Sequence, residues 1–361
     1  MSALPAIAVL AILILVHELG HFMAARVQGI HVNRFSIGFG PVLWKYQGKQ
    51  TEYALRAIPL GGYVGFPDDE ESNIPADDPN LMKNRPIIDR AIVISAGVIA
   101  NFVFAYLVLL VMTLSVGIGT VDQPGVRITK ILDTNAPAAV SGLQAGDIVL
   151  SANGTKFDTS LTTLDRFQSL ISKNANQSVD LQVMRDGKLL QVPILPDGES
   201  GKGRIGVRLD FTGKPHRRSV HSIGEAFDNA TQSFERLVVM TVQGLKQLAT
   251  NFQNTASQLS GPVAIVAMGS ELVKSDAAAL FDFTAIISIN LAIINILPLP
   301  ALDGGQLVFL LIEALRGGKP LPEELQNNVM QGGLVILLGL GVVMIFKDSF
   351  NLLQQSGLSP L

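Results

Sequence analysis

Residues 3–25 read Ala-Leu-Pro-Ala-Ile-Ala-Val-Leu-Ala-Ile-Leu-Ile-Leu-Val-His-Glu-Leu-Gly-His-Phe-Met-Ala-Ala. About 20 apolar residues of helix cross a hydrocarbon core about 30 Å thick, so this stretch predicts a transmembrane helix. Its only formally charged residue is Glu18. A cleavable signal peptide is the competing reading. It is disfavoured because no basic region precedes the apolar core, which runs into His17-Glu18 instead of a small-residue cleavage site.

Working outward, residues 91–121, 283–302 and 325–346 carry no Asp, Glu, Lys or Arg, and each is long enough to span. The expected fold is a polytopic α-helical membrane protein with four transmembrane helices. Composition agrees: 48% of the 361 residues are hydrophobic and only 16% charged, against about 25% charged in soluble domains. A net charge of -3 provides no basic domain for nucleic acid. The absence of cysteine excludes disulfides, thiol nucleophiles and thiolate-held metals. Arg26, Arg34, Lys45, Lys83, Arg85 and Arg90 lie between the first two spans, and Arg316 and Lys319 precede the fourth. The positive-inside rule then puts those loops in the cytoplasm and both termini outside.

Within the first span, His17-Glu18-Leu19-Gly20-His21 pairs two of the five histidines at metal-ligand spacing. Helix positions four apart share a face, so both imidazoles can reach one zinc ion, and Glu18 can meet a water beside it. Ionisable groups at membrane depth are functional candidates by default. A catalytic zinc takes three protein ligands, and His31, His216 and His221 lie in polar loops. The third candidate is Asp303, in Asn295-Ile-Leu-Pro298-Leu-Pro300-Ala-Leu-Asp303-Gly304-Gly305. At about 1.5 Å per residue, His17 and Leu297 both lie roughly 21 Å along parallel spans. Pro298 and Pro300 should unwind the third span there and bring Asp303 opposite the histidines.

The segment between the second and third spans has strand-like runs at 126–131, 179–185, 189–194 and 204–209, with a tight turn at Asp186-Gly187. A small β-rich domain is expected there. Residues 224–259 space Phe227, Phe234, Leu237, Val242, Leu245 and Leu248 as an amphipathic helix does.

Taken together, the His17-Glu18-Leu19-Gly20-His21 and Asn295 to Gly305 motifs and the intervening domain resemble the site-2 protease family, zinc metalloproteases that cut proteins within the membrane. The resemblance covers nearly the whole chain and is similar to the sigma-E-regulating branch. It implies His17, His21 and Asp303 as zinc ligands, Glu18 as general base, and Asn295 as a substrate-positioning residue, with an interhelix contact as the alternative. Asn101 is a second substrate-positioning candidate, and for it a structural interhelix contact is the favoured reading. Ala136-Pro137-Ala138-Ala139-Val140-Ser141-Gly142-Leu143-Gln144-Ala145-Gly146-Asp147-Ile148 resembles a PDZ domain, with the peptide groove expected at Gly125, Val126, Arg127 and Ile128. Relatives of that branch commonly carry two PDZ domains, whereas this chain has room for one. The second span reads Ala96-Gly97-Val98-Ile99-Ala100-Asn101-Phe102, where the family often has Gly-Pro before Asn-Phe. Residues 33–66 are similar to the family's membrane-associated β-hairpin, and the acidic run Asp68-Asp69-Glu70-Glu71 reads as a solvated connector.

The expected domains are residues 1–121 (two spans and the β-hairpin loop), 122–212 (PDZ-like), 213–281 (extracytoplasmic amphipathic helical linker) and 282–361 (two spans). The function expected is zinc-dependent hydrolysis of peptide bonds in transmembrane protein substrates. By resemblance, these are anti-sigma factors or signal-peptide remnants, already trimmed by a site-1-type protease. The setting expected is a bacterial plasma membrane, with a plastid membrane equally compatible. A membrane PDZ scaffold without turnover has no need of Glu18, and a zinc transporter should show an internal repeat that is absent here.

Overall fold

The computed structural model describes residues 4–67, 74–198, 202–255, 259–275 and 277–355. The acidic run at 68–71 lies outside them. The chain divides into two compact units, one made of residues 1–112 and 224–361 and the other of residues 113–223.

The first unit begins with α1 (Leu4–Val27), followed by β1 (Arg34–Gln47), β2 (Glu52–Gly65) and α2 (Ile87–Ser115). The expected hairpin is folded further than two straight strands. Arg34–Ile37 pairs in parallel with residues 52–55 and antiparallel with residues 62–65, while residues 44–47 pair antiparallel with 52–55. Gly38 and Gly40, at φ of 86° and 81°, let β1 bend between its two halves. Residues 62–65 therefore form one margin of this small sheet.

The second unit holds β3 (Ile118–Val121), β4 (Val126–Ile131), α3 (Pro137–Val140), β5 (Ile148–Ala152), β6 (Thr155–Lys156), α4 (Thr163–Lys173), β7 (Val179–Arg185), β8 (Lys188–Ile194), β9 (Val207–Phe211) and β10 (Pro215–Arg218). The strands run β8-β7-β5-β4-β9 across one sheet, with β6 on β5, and β10 pairs separately with β3. Alternation of buried and exposed positions in β4 and β7 turns Val126, Ile128, Val179, Leu181 and Val183 into the core with Phe167 and Ile171 of α4. Asp186 and Gly187, at φ of 48° and 77°, make the turn between β7 and β8. Asp147 is 1% exposed, accepts from Gln144 N at 2.8 Å, and accepts from Arg185 Nε and Nη2 at 2.7 Å each. Burial pushes its pKa up, but Arg185 and the Gln144 amide outweigh that and hold the carboxyl below its usual range.

The first unit resumes with α5 (Ile223–Thr250), α6 (Phe252–Thr255), α7 (Pro262–Ser275), α8 (Ala277–Asn295), α9 (Asp303–Leu315) and α10 (Glu323–Gln355). Helices α1, α2, α8 and α10 are long and apolar enough to cross a membrane. On α10, Val335, Ile336 and Phe346 are each more than two-thirds exposed. A water-facing helix does not carry such a surface, whereas a lipid-facing one does. The third span stops at Asn295, next to the break expected near Leu297, because Pro298 and Pro300 turn the chain there. That turn folds so closely on α9 that a Cβ on Gly304 would strike the carbonyls of Leu297 and Ile296. Ala301 sits in the left-handed region at φ 67°, a strain of about 1 kcal/mol, with its amide donating to Met330 Sδ at 3.4 Å. Arg90 of α2 makes two hydrogen bonds to Glu313 of α9, one of them at 3.0 Å, which ties the two helices together.

Candidate metal centre

His17 and His21 lie one turn apart on one face of α1. Asp303 is the first residue of α9, and its Oδ2 lies 3.3 Å from His17 Nε2 and 3.4 Å from His21 Nε2. The two Nε2 atoms are 3.2 Å apart. Tetrahedral zinc with bonds of about 2.0–2.1 Å sets its ligand atoms roughly 3.3 Å from one another. The triangle thus has the dimensions of one face of that tetrahedron, with a fourth position left for water or substrate. Asp303 Oδ2 is also buried without a hydrogen-bond donor, and a carboxylate oxygen in that condition calls for a cation. Among the described residues, this is the one group of three His, Cys, Asp or Glu side chains close enough to share a metal ion. The residues present fit zinc.

Glu18 stays out of the triangle and lines the same cavity of about 670 Å³, with Asn295 and the strand margin Gly61–Val64. A Cβ on Gly62 would lie 2.9 Å from Glu18 Cγ, so the strand runs directly beside this carboxylate. Asn295 ends α8 with its Nδ2 at 3.2 Å from His17 Nε2. Asn101 is fully buried and lies outside the cavity lining, with its Nδ2 at 3.3 Å from His17 Nδ1. Its contact is with the His17 ring, and the cavity wall is formed by Asn295 instead.

The groove placed at Gly125, Val126, Arg127 and Ile128 also needs correction. β4 is hydrogen-bonded to β5 on one side and to β9 on the other, and Val126 and Ile128 are fully buried. A peptide can add only to an open edge, and the outer strands of this sheet are β8 and β9.

Two contributors were missed in the sequence. The Val93 carbonyl accepts from His21 Nδ1 at 2.8 Å, which directs Nε2 of that ring into the triangle. Gly97 makes the room: a Cβ there would collide with His21 Nε2 and lie 2.8 Å from His17 Cε1. A main-chain acceptor leaves no side-chain signal, whereas Gly97 is visible inside the Ala96–Phe102 run as a place where a neighbouring helix can approach closely.

A chain with four helices long and apolar enough to cross a membrane, holding His-Glu-x-x-His and an aspartate in one largely enclosed cluster, has the build of a membrane-embedded metalloprotease. The chain belongs to peptidase family M50, the site-2 proteases, whose family model matches residues 5–340. It is 57% identical to the protein named "Putative zinc metalloprotease all3971" of Nostoc sp., over 98% of both chains. It is 44% identical to "Membrane metalloprotease ARASP, chloroplastic" of Arabidopsis thaliana, over 97% of this chain and 79% of that one. It is 29% identical to "Regulator of sigma-E protease RseP" of Escherichia coli, over 95% of this chain and 97% of that one.

Proposed function

We propose that this protein is an intramembrane zinc endopeptidase that cuts transmembrane segments of other proteins. The observation that carries this reading is the close triangle of His17, His21 and Asp303, with Glu18 beside it on the cavity wall. His17, His21 and Asp303 would hold a zinc ion, which would supply Lewis acidity for water and for the scissile carbonyl. Glu18 accepts the proton of the attacking water and later returns it to the leaving amine. The Asn295 amide donates a hydrogen bond to the substrate backbone. The segment 62–65 pairs with β1 along one side only among the described residues. Its cavity side offers main-chain groups to a substrate unwound into an extended strand, which also exposes the carbonyl to be attacked.

The loops holding Arg26 to Arg90 and Arg316 to Lys319 face the cytoplasm, and the β-rich unit faces the other side. That unit screens substrates by size, so that a protein already trimmed by a separate site-1-type protease is preferred. The name of the Escherichia coli relative favours anti-sigma factors among the substrates, with signal-peptide remnants as the other class. The Nostoc and chloroplastic relatives favour a plasma membrane of a bacterium or a membrane of plastid descent.

Glu18→Gln tests the proposal. It is expected to abolish cleavage of a reconstituted transmembrane substrate while about one zinc per chain stays bound. Cleavage that persists would remove Glu18 from the chemistry, and a scaffold or transport function would survive the substitution.

A further inference from the structure

The two histidines of the candidate centre face the same requirement. An imidazole that gives the Nε2 lone pair to a metal carries its proton on Nδ1, and that N–H needs an acceptor when buried away from water. His21 donates from Nδ1 to the Val93 main-chain carbonyl at 2.8 Å. The Asn101 amide faces His17 Nδ1, with Nδ2 at 3.3 Å.

We infer that Asn101 is a positioning residue for the metal centre, with its side-chain oxygen accepting the Nδ1 proton of His17 and so aiming Nε2 at Asp303 and His21. This rests on the zinc reading given above. Three observations on this chain carry it. Asn101 is fully buried and lies outside the cavity lining. Its Oδ1 is buried without a hydrogen-bond partner, while its Nδ2 faces a ring nitrogen that must itself donate once Nε2 is a ligand. The two ends of a carboxamide are nearly isosteric, so a half-turn of the amide removes this donor-to-donor clash and brings the orphaned oxygen onto Nδ1–H. Finally, the contact between helices is made by a different atom: the Asn101 main-chain carbonyl accepts from Ser288 Oγ at 2.8 Å. Changing the side chain leaves that link in place.

The test uses the purified full-length chain and two metal readouts. Zinc affinity is measured by chelator competition, and the visible absorption of the cobalt-substituted protein reports ligand geometry. Asn101→Leu keeps the volume and removes the acceptor, and is expected to weaken zinc binding by roughly 10–100-fold and to alter the cobalt spectrum. Asn101→Asp keeps an acceptor and removes the donor, and is expected to stay within a few-fold of wild type. Equal affinity in wild type and Asn101→Leu, or a loss in Asn101→Asp as large as in Asn101→Leu, overturns the inference and leaves the metal site standing. If Asn101→Leu does not fold, Asn101→Asp against wild type decides, because an amide that donates to His17 cannot be replaced by a carboxylate without the same spectral change. A wild-type chain that binds neither ion at His17 and His21 overturns the zinc reading, and the role of Asn101 with it.

Discussion

Two carboxylates, one in each unit, are buried on opposite terms. Asp147 receives an amide and two guanidinium donors, all within 2.8 Å, and closes the turn from Gly142 to Asp147. Asp303 keeps Oδ2 free of hydrogen bonds and points it at two imidazole nitrogens. Burial therefore does not separate structure from chemistry here, whereas satisfaction does. A carboxylate that is fully paired supports the fold around it, and one left short beside two ligand atoms is waiting for a cation.

That contrast is broken most severely at Gly97. Gly97→Val puts a side chain where the two imidazoles meet, and a displacement of about 1 Å at a reacting centre costs on the order of 100-fold. Loss of both zinc and cleavage at an unchanged membrane-inserted yield is expected, measured by metal analysis and substrate turnover. Full activity would mean that the histidines do not pack on α2.

Asp147→Asn should act on the other side of the contrast, removing about 3 kcal/mol from the β-rich unit by leaving Arg185 without its partner. Zinc should be unchanged. Because the Asp147 carboxyl is held below its ordinary value, its contribution is complete above about pH 4 and is lost as pH falls through the lowered value. Protease protection of residues 113–223, followed from pH 6 down to pH 2, should show wild type and variant converging at the acid end. A constant gap would deny the pairing its role.

The smallest effect is expected from excising residues 124–211. Gln123 N donates to Thr212 O at 3.2 Å, so a short flexible link can close the cut below the β3–β10 pair. Cleavage of a trimmed substrate should persist and that of an untrimmed one rise a few-fold. Loss of both, with zinc retained, would make the β-rich unit a means of delivery instead of a screen. Single-cysteine labelling is clean in this cysteine-free chain, and Lys49→Cys against Lys188→Cys reports which side each unit faces. Both positions are exposed, whereas Ser36 is buried and a poor reporter.

Much of the site was legible because its signals are local. His17 and His21 share one helical turn, and Pro298 and Pro300 mark a break wherever they occur. The strands at 126–131 and 179–185 and the Asp186-Gly187 turn follow from alternation and turn chemistry. What was not legible depends on partners distant in sequence. β4 looked like a groove strand until β9, some eighty residues on, proved to cover its edge. His216 was placed in a polar loop, because no local pattern announces the pairing of residues 215–218 with β3. α9 is too short for a span, so a search for apolar runs of membrane length does not find Asp303–Leu315.

The central claim is that Asp303 completes a zinc site and Asp147 does not belong to one. Zinc content of the purified chain tests it directly, comparing wild type with His17→Ala, His21→Ala, Asp303→Ala and Asp147→Ala. About one zinc per chain is expected in wild type and in Asp147→Ala, none in either histidine variant, and a clear reduction in Asp303→Ala. Undiminished zinc in Asp303→Ala would place the third ligand elsewhere and contradict the account.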